Sequence, residues 1–239
     1  MLTHVAAIFR RELSSYFDSP MAYIVIPVFL VLVGGFSLYF QDLLGGGLAT
    51  MRPVFFWSSV FMLLLIPAIT MRLFSEEHRL GSIELLVTLP VSESAIVLGK
   101  YLAAFALVAV AIAMTLTYPV TLMILSDVDL GPIVGGYIGL LCLGAAFTAI
   151  GTATSVGTRN QIVAFLLAIG ICMLPFASGF ALSQVPAAIL PLVQFLSFET
   201  HFNNLARGVI DSRDLIFYGS IVALFLHIAV FGLERRRLK

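Results

Sequence analysis

The sequence predicts an all-α integral membrane protein with six transmembrane helices, and three observations carry that prediction. The 239 residues are 60% hydrophobic and 11% charged, where ordinary globular domains are about 25% charged, and mean hydropathy is +1.07. A bilayer core about 30 Å thick is crossed by roughly 20 apolar residues rising about 1.5 Å each, and six runs of about that length lack Asp, Glu, Lys and Arg. No polar domain separates them, so residues 1–239 read as a single transmembrane domain.

In chain order, the segment before the first run comes first. In "LTHVAAIFRRELSSYF", Leu2, Val5, Phe9, Leu13 and Tyr16 share one helical face, while His4, Arg11 and Ser15 fall on another. Residues 1–19 are therefore expected to form an amphipathic helix in the membrane interface. Ser19-Pro20 marks the turn into the bilayer, because the residue before proline disfavours helix and proline suits a helix start. The runs follow: Pro20 to Phe40, Pro53 to Met71, Tyr101 to Leu125, Ile133 to Val156, Ile162 to Leu182 and Leu215 to Leu233. A cleaved signal peptide is not expected, since the first run begins only at Pro20 and is long enough to span.

Orientation follows from Lys and Arg in the short flanking segments. One side collects Arg10, Arg11, Arg72, Arg79, Lys100, Arg159, Arg235, Arg236, Arg237 and Lys239; the other has Arg52, Arg207 and Arg213. That asymmetry predicts cytoplasmic termini and a cytoplasmic loop between the second and third spans. The formal net charge of zero identifies no partner. Cys142 and Cys172 lie inside spans without metal-type spacing and read as packing residues.

On the outer side, "SDVDLGP" is a minimal turn, whereas residues 183–214 carry the apolar run "VPAAILPLVQFLSF". That run is too short and too broken by proline to span, so a re-entrant or interfacial segment is expected. Within span four, Gly135 and Gly139 form a G-x-x-x-G pair whose small surface lets helices approach closely, within the chain or between copies.

Enzymatic chemistry is sparse. There is no G-x-x-x-x-G-K-[ST] phosphate loop; Gly99-Lys100, the lone Gly-Lys pair, is followed by Tyr101. There is no H-E-x-x-H helix, and Glu199 with His201 supplies two potential metal ligands without a third, so no metal site is expected. Six spans with "FASGF" at Ser178 and "HIAVFG" at His227 faintly resemble the rhomboid serine proteases. Their depths differ, at about 6 Å and about 18 Å from the outer ends, while a nucleophile and its base must come within about 3 Å. Phe176 also stands where that family has glycine. Pumps that energise themselves usually carry Asp, Glu, Lys or Arg within their spans, and these runs have none. Energy is then expected from a partner on the cytoplasmic side.

The segment that could receive it is "MRLFSEEHRLGSIELLVTLPVSESAIVLGK", from Met71 to Lys100. Met71 to Leu80 can extend span two beyond the bilayer, with Gly81 as a stop. Ser82 to Leu89 makes a short helix with Ile83, Leu86 and Val87 on one face beside Glu84 and Thr88. Pro90 ends it, and Ser92 can cap a helix beginning at Glu93 and running into span three. An eight-residue helix is marginal alone, so its apolar face needs a cover: the membrane surface, neighbouring helix ends, or a socket on a soluble partner.

This loop, together with "RRELSSYFDSPMAYIVIPVFL" and "LSFETHFNNLARGVIDSRDLIFYGSIVALFL", resembles the ABC-2 family of transporter permeases. The resemblance is to the subgroup that includes the gliding-motility and nitrous-oxide-reductase-maturation permeases. It implies a permease subunit of an ATP-driven ABC exporter in the bacterial inner membrane, working by alternating access and not itself an enzyme. ATP and Mg would be bound by a separate ABC ATPase present in two copies. A second permease subunit, identical or related, would complete the membrane part, with membrane lipid around it, an auxiliary membrane or extracytoplasmic protein as a further partner, and no nucleic acid. The resemblance makes residues 1–19 a connecting helix, residues 72–100 the coupling loop, and residues 183–214 re-entrant helices at the outer mouth. It carries coupling onto Phe74, Glu76, Glu77, Gly81, Ile83, Glu84, Leu85 and Leu86, beside Val87 of the same apolar face. It marks His201, Asn204, Arg207, Asp211 and Arg213 in the outer segment without giving them a role. A membrane scaffold that holds a soluble partner without transport is the alternative reading, with the intramembrane serine protease a distant third.

Overall fold

The computed structural model describes residues 2–40, 50–81, 91–126 and 128–237, and among them every regular element is helical. In order these are α1 (Leu2–Asp18), α2 (Pro20–Phe40), α3 (Arg52–Thr70), α4 (Arg72–Leu80), α5 (Glu93–Met114), α6 (Thr117–Leu125), α7 (Leu130–Gly157), α8 (Gln161–Ser178), α9 (Leu190–Leu196), α10 (Phe198–Ala206) and α11 (Ser212–Arg237). A 3₁₀ turn at Leu182–Gln184 precedes α9. Six stretches are long and apolar enough to cross a membrane: α2, α3 continuing through α4, α5 continuing through α6, α7, α8 and α11. The bundle has a proximal end, where α1, α4 and the first turns of α5 meet, and a distal end, where the starts of α3 and α7 meet α10.

α7 is the axis of the packing, and its composition explains why. Its buried face is built from Gly, Ala, Thr and Ser with a few large residues, so neighbouring backbones come close. A Cβ on Gly136 would lie 2.2 Å from the Phe55 ring, one on Gly144 would lie 2.9 Å from Met62, and one on Gly151 would lie 2.0 Å from Thr70 Oγ1. The three glycines thus form a seam along α3. The threonine hydroxyls Thr148 and Thr152 are satisfied within the helix, donating to Gly144 O at 2.7 Å and to Thr148 O at 2.7 Å, which leaves them no demand for water in an apolar setting.

Several boundaries differ from those read in the sequence. The third run, Tyr101 to Leu125, is two helices with a break at Thr115 and Leu116. Pro119 has no N–H for Thr115 O; that carbonyl accepts from Tyr118 N at 3.0 Å instead, and Thr115 Oγ1 donates to Ile112 O at 2.6 Å. The fifth run ends at Ser178 rather than Leu182, whereas the sixth helix starts at Ser212, where Asp211 Oδ1 accepts from Arg213 N at 2.9 Å. α5 begins at Glu93 as the sequence suggests, but Ser92 makes no side-chain cap bond. α1 lies against α5 because Gly99 admits it: a Cβ there would meet Ile8 at 2.7 Å. Tyr16 is buried and Val5, Phe9 and Leu13 are half-buried, while Leu2, one turn before Val5, projects past this contact and is 85% exposed. Cys172 is buried and Cys142 half-buried.

Candidate functional site

Residues 82–90 lie outside the described residues, so Ile83, Glu84, Leu85, Leu86 and Val87 have no structural account. Their two anchors do. α4 stops where Gly81 takes φ +70, a left-handed conformation suited to glycine. On the other side, α5 carries the chain from Glu93 to Lys100, whose side chain is fully buried.

Lys100 joins three helices. Its ammonium donates to Glu12 Oε1 on α1 at 3.2 Å, to Glu77 Oε1 on α4 at 2.9 Å, and to the Leu73 carbonyl at 2.9 Å. The ammonium also sits 5.2 Å from the centre of the buried Phe74 ring, a cation–π distance. Arg11 extends the network, donating to Glu12 at 2.7 Å and lying 3.9 Å from Glu77. Burial opposes ionisation of Glu12, but the adjacent Lys100 and Arg11 outweigh it and hold the carboxyl below its ordinary range. Glu76, one residue from Glu77, instead pairs with Arg72 at 2.9 Å on the helix surface.

The junction of α3 and α4 is fixed from a fourth side. Ser155 Oγ on α7 accepts from Phe74 N at 3.0 Å and Ser75 N at 3.2 Å, and donates to Met71 O at 3.0 Å. One hydroxyl therefore closes a local opening in the helix ladder. Pro67, which lacks an N–H, lies a turn earlier in α3. Phe74 and Glu77 are thus brought to one node with Glu12, Lys100 and Ser155, while Glu76 faces away and Gly81 marks the exit to the loop.

The distal end holds the second group of sequence-marked residues. Gly135 and Gly139 serve contacts within the chain: a Cβ on Gly135 would lie 2.1 Å from Leu205 O, and one on Gly139 would meet Phe202 at 3.1 Å. α10 is consequently pressed onto α7. His201 is buried, with Nδ1 2.6 Å from Asp214 Oδ1, Nε2 3.0 Å from Phe195 O, and its ring stacked 4.0 Å from that of Phe217. Both ring nitrogens face oxygen atoms, which fixes the orientation of the ring. Tyr218 Oη donates to Phe198 O at 2.8 Å, and Asn203 bonds Glu199. Asn204 is half-buried, Asp211 caps α11, Arg213 is exposed, and Arg207 borders two hollows. Among the described residues, no cluster of three or more His, Cys, Asp or Glu is arranged to hold a metal.

A family model described as "ABC-2 family transporter protein" matches residues 15–232. The chain belongs to the ABC-2 transporter family. It is the membrane-spanning permease component of an ABC transporter, a kind of subunit that works with an ATPase. No curated protein matches the chain. In this ABC-2 permease, sequence reasoning passed over Lys100, Glu12, Ser155 and Asp214. For Lys100 a signal was present: it is a lone charge between "AIVLG" and "YLAAF", a setting that calls for a buried partner. Ser155 gave none, since a serine in a small-residue run reads as packing.

Proposed function

We propose that this permease serves an ATP-driven exporter and that the Lys100 node passes the motion of a separate ATPase into the spans. The observation that carries this reading is the position of the node. α4 and α5 are the two helices that enter and leave the 82–90 loop, and Lys100 ties both of them to α1. A displacement of the loop would be shared by α3, through the junction that Ser155 holds, and by α5. Two ATPase copies would close on ATP and Mg, neither of which this chain is proposed to bind, and would tilt paired permease subunits between inward- and outward-open states. The subunits would be identical or closely related, of the gliding-motility or nitrous-oxide-reductase-maturation type.

Ten of the thirteen Lys and Arg residues fall in the sequence segments assigned to the side of the termini, which supports cytoplasmic termini in a bacterial inner membrane. Phe74 and Glu77 would act by holding the loop's exit, whereas Ile83, Leu86 and Val87 beside Glu84 would enter the ATPase. The test is Glu84→Lys. The variant is expected to insert and fold normally while losing most co-purification with the cognate ATPase; full co-purification would remove the loop from the interface.

A further inference from the structure

The distal end carries a feature that coupling does not use. Arg52 begins α3 and Arg207 follows α10, and both border the same two adjoining hollows, of about 280 and 460 Å³. Neither guanidinium has an ion-pair or hydrogen-bond partner among the described residues. Among the described residues, the two acids that border the hollows are engaged by other groups: Glu199 by the Asn203 amide and Asp129 by Gly131 N at 3.0 Å. Below this basic rim the smaller hollow is walled by Phe55, Phe56, Phe176, Phe180 and Phe202. Phe55 and Phe56 lie one turn along α3 from Arg52 and Ser59 one turn further, so the wall descends about 10 Å into the span.

We propose that this is a binding site for an amphiphile with a phosphate headgroup, the phosphate held between Arg52 and Arg207 and the first part of its apolar chain against the phenylalanines. Guanidinium forks match phosphate oxygens in pairs, and the rim offers two of them from separate elements. A free inorganic anion would satisfy the rim but leave the aromatic wall wet, whereas a neutral or zwitterionic lipid would fill the wall and gain less from the rim. Arg213 supplies an internal contrast. It is an exposed arginine at the same end and borders neither hollow, so general attraction of interfacial arginines to lipid phosphates would involve it equally. The inference concerns binding alone and does not depend on the ATPase reading above.

The experiment is native mass spectrometry of the full chain in non-ionic detergent, titrated with short-chain phosphatidylglycerol, short-chain phosphatidylcholine or inorganic phosphate. One phosphatidylglycerol per chain is expected, bound at least about tenfold more tightly than phosphatidylcholine, with inorganic phosphate competing weakly. The Arg52→Gln/Arg207→Gln variant should lose that preference, the Arg52→Lys/Arg207→Lys variant should keep part of it, and Arg213→Gln should keep all of it. Glu199→Gln, which removes the negative charge from the hollow and leaves both arginines, should bind phosphatidylglycerol about two- to threefold more tightly. Equal affinity for the two lipids, equal loss in Arg213→Gln, or inorganic phosphate binding as tightly as phosphatidylglycerol would each overturn the proposal.

Discussion

Lys100 is the residue on which the proximal end turns. Its ammonium is removed from water and compensated by Glu12, Glu77 and a carbonyl, so deleting it takes a buried cation from two carboxylates at once and leaves Arg11, on the surface, beside both. Breaking a buried pair from one side costs about 3–5 kcal/mol, and Lys100→Ala should lower the melting temperature in detergent accordingly. Adding Glu12→Gln and Glu77→Gln should recover most of that loss. Acid should act in the same place. The Glu12 carboxyl titrates below its ordinary value in the folded chain, so its contribution is present in full above about pH 5 and is lost as pH falls past the ordinary Glu value and through the lowered one. Thermal melts from pH 6 to pH 3 should show this loss in the parent and a shallower one in Glu12→Gln. None of these links was legible as a link: Lys100 and Glu12 are 88 positions apart, and periodicity places each on a helix face without saying which faces meet. His201 and Asp214 show the same limit at shorter range. The expected span began at Leu215 and left Asp214 outside the helix that buries it.

Among the helices, the junction of α3 and α4 depends on Ser155. Ser155→Ala leaves the Phe74 and Ser75 amides without that acceptor, at a cost of about 1–3 kcal/mol for buried donors. Faster amide exchange of residues 71–77, with α7 and α11 unchanged, is the expected result. Unchanged exchange would show that the junction is held by α3 and α4 alone. The spans themselves were legible because a bilayer imposes a length, and hydrophobic runs report it within a few residues. Breaks inside a span were less so. Pro119 was visible, but its effect falls four residues earlier, at Thr115, whose carbonyl takes the Tyr118 amide in place of the missing Pro119 N–H. The Gly135 and Gly139 spacing signalled a close approach, and only the structure identifies the visitor as α10.

At the scale of the molecule, one helix poor in bulk, α7, lets α3, α10 and α11 close around it, while α1 and α5 meet at the proximal end. The two ends are chemically different. The proximal end is a buried ion network beside the loop proposed to face an ATPase; the distal end is an aromatic hollow with a basic rim. Composition revealed the class, and the motifs around residues 71–100 and 196–226 revealed the family. The asymmetry between the ends rests on residues too far apart in sequence to be read together. Coupling through the proximal network is most directly tested by ATP hydrolysis of the cognate ATPase reconstituted in lipid with the triple variant Lys100→Met/Glu12→Gln/Glu77→Gln, which removes the tie without stranding a charge. Normal assembly with about a tenfold loss of permease-dependent stimulation, equivalent to about 1.4 kcal/mol of coupling, is the expected result; stimulation equal to that of the parent permease would contradict it.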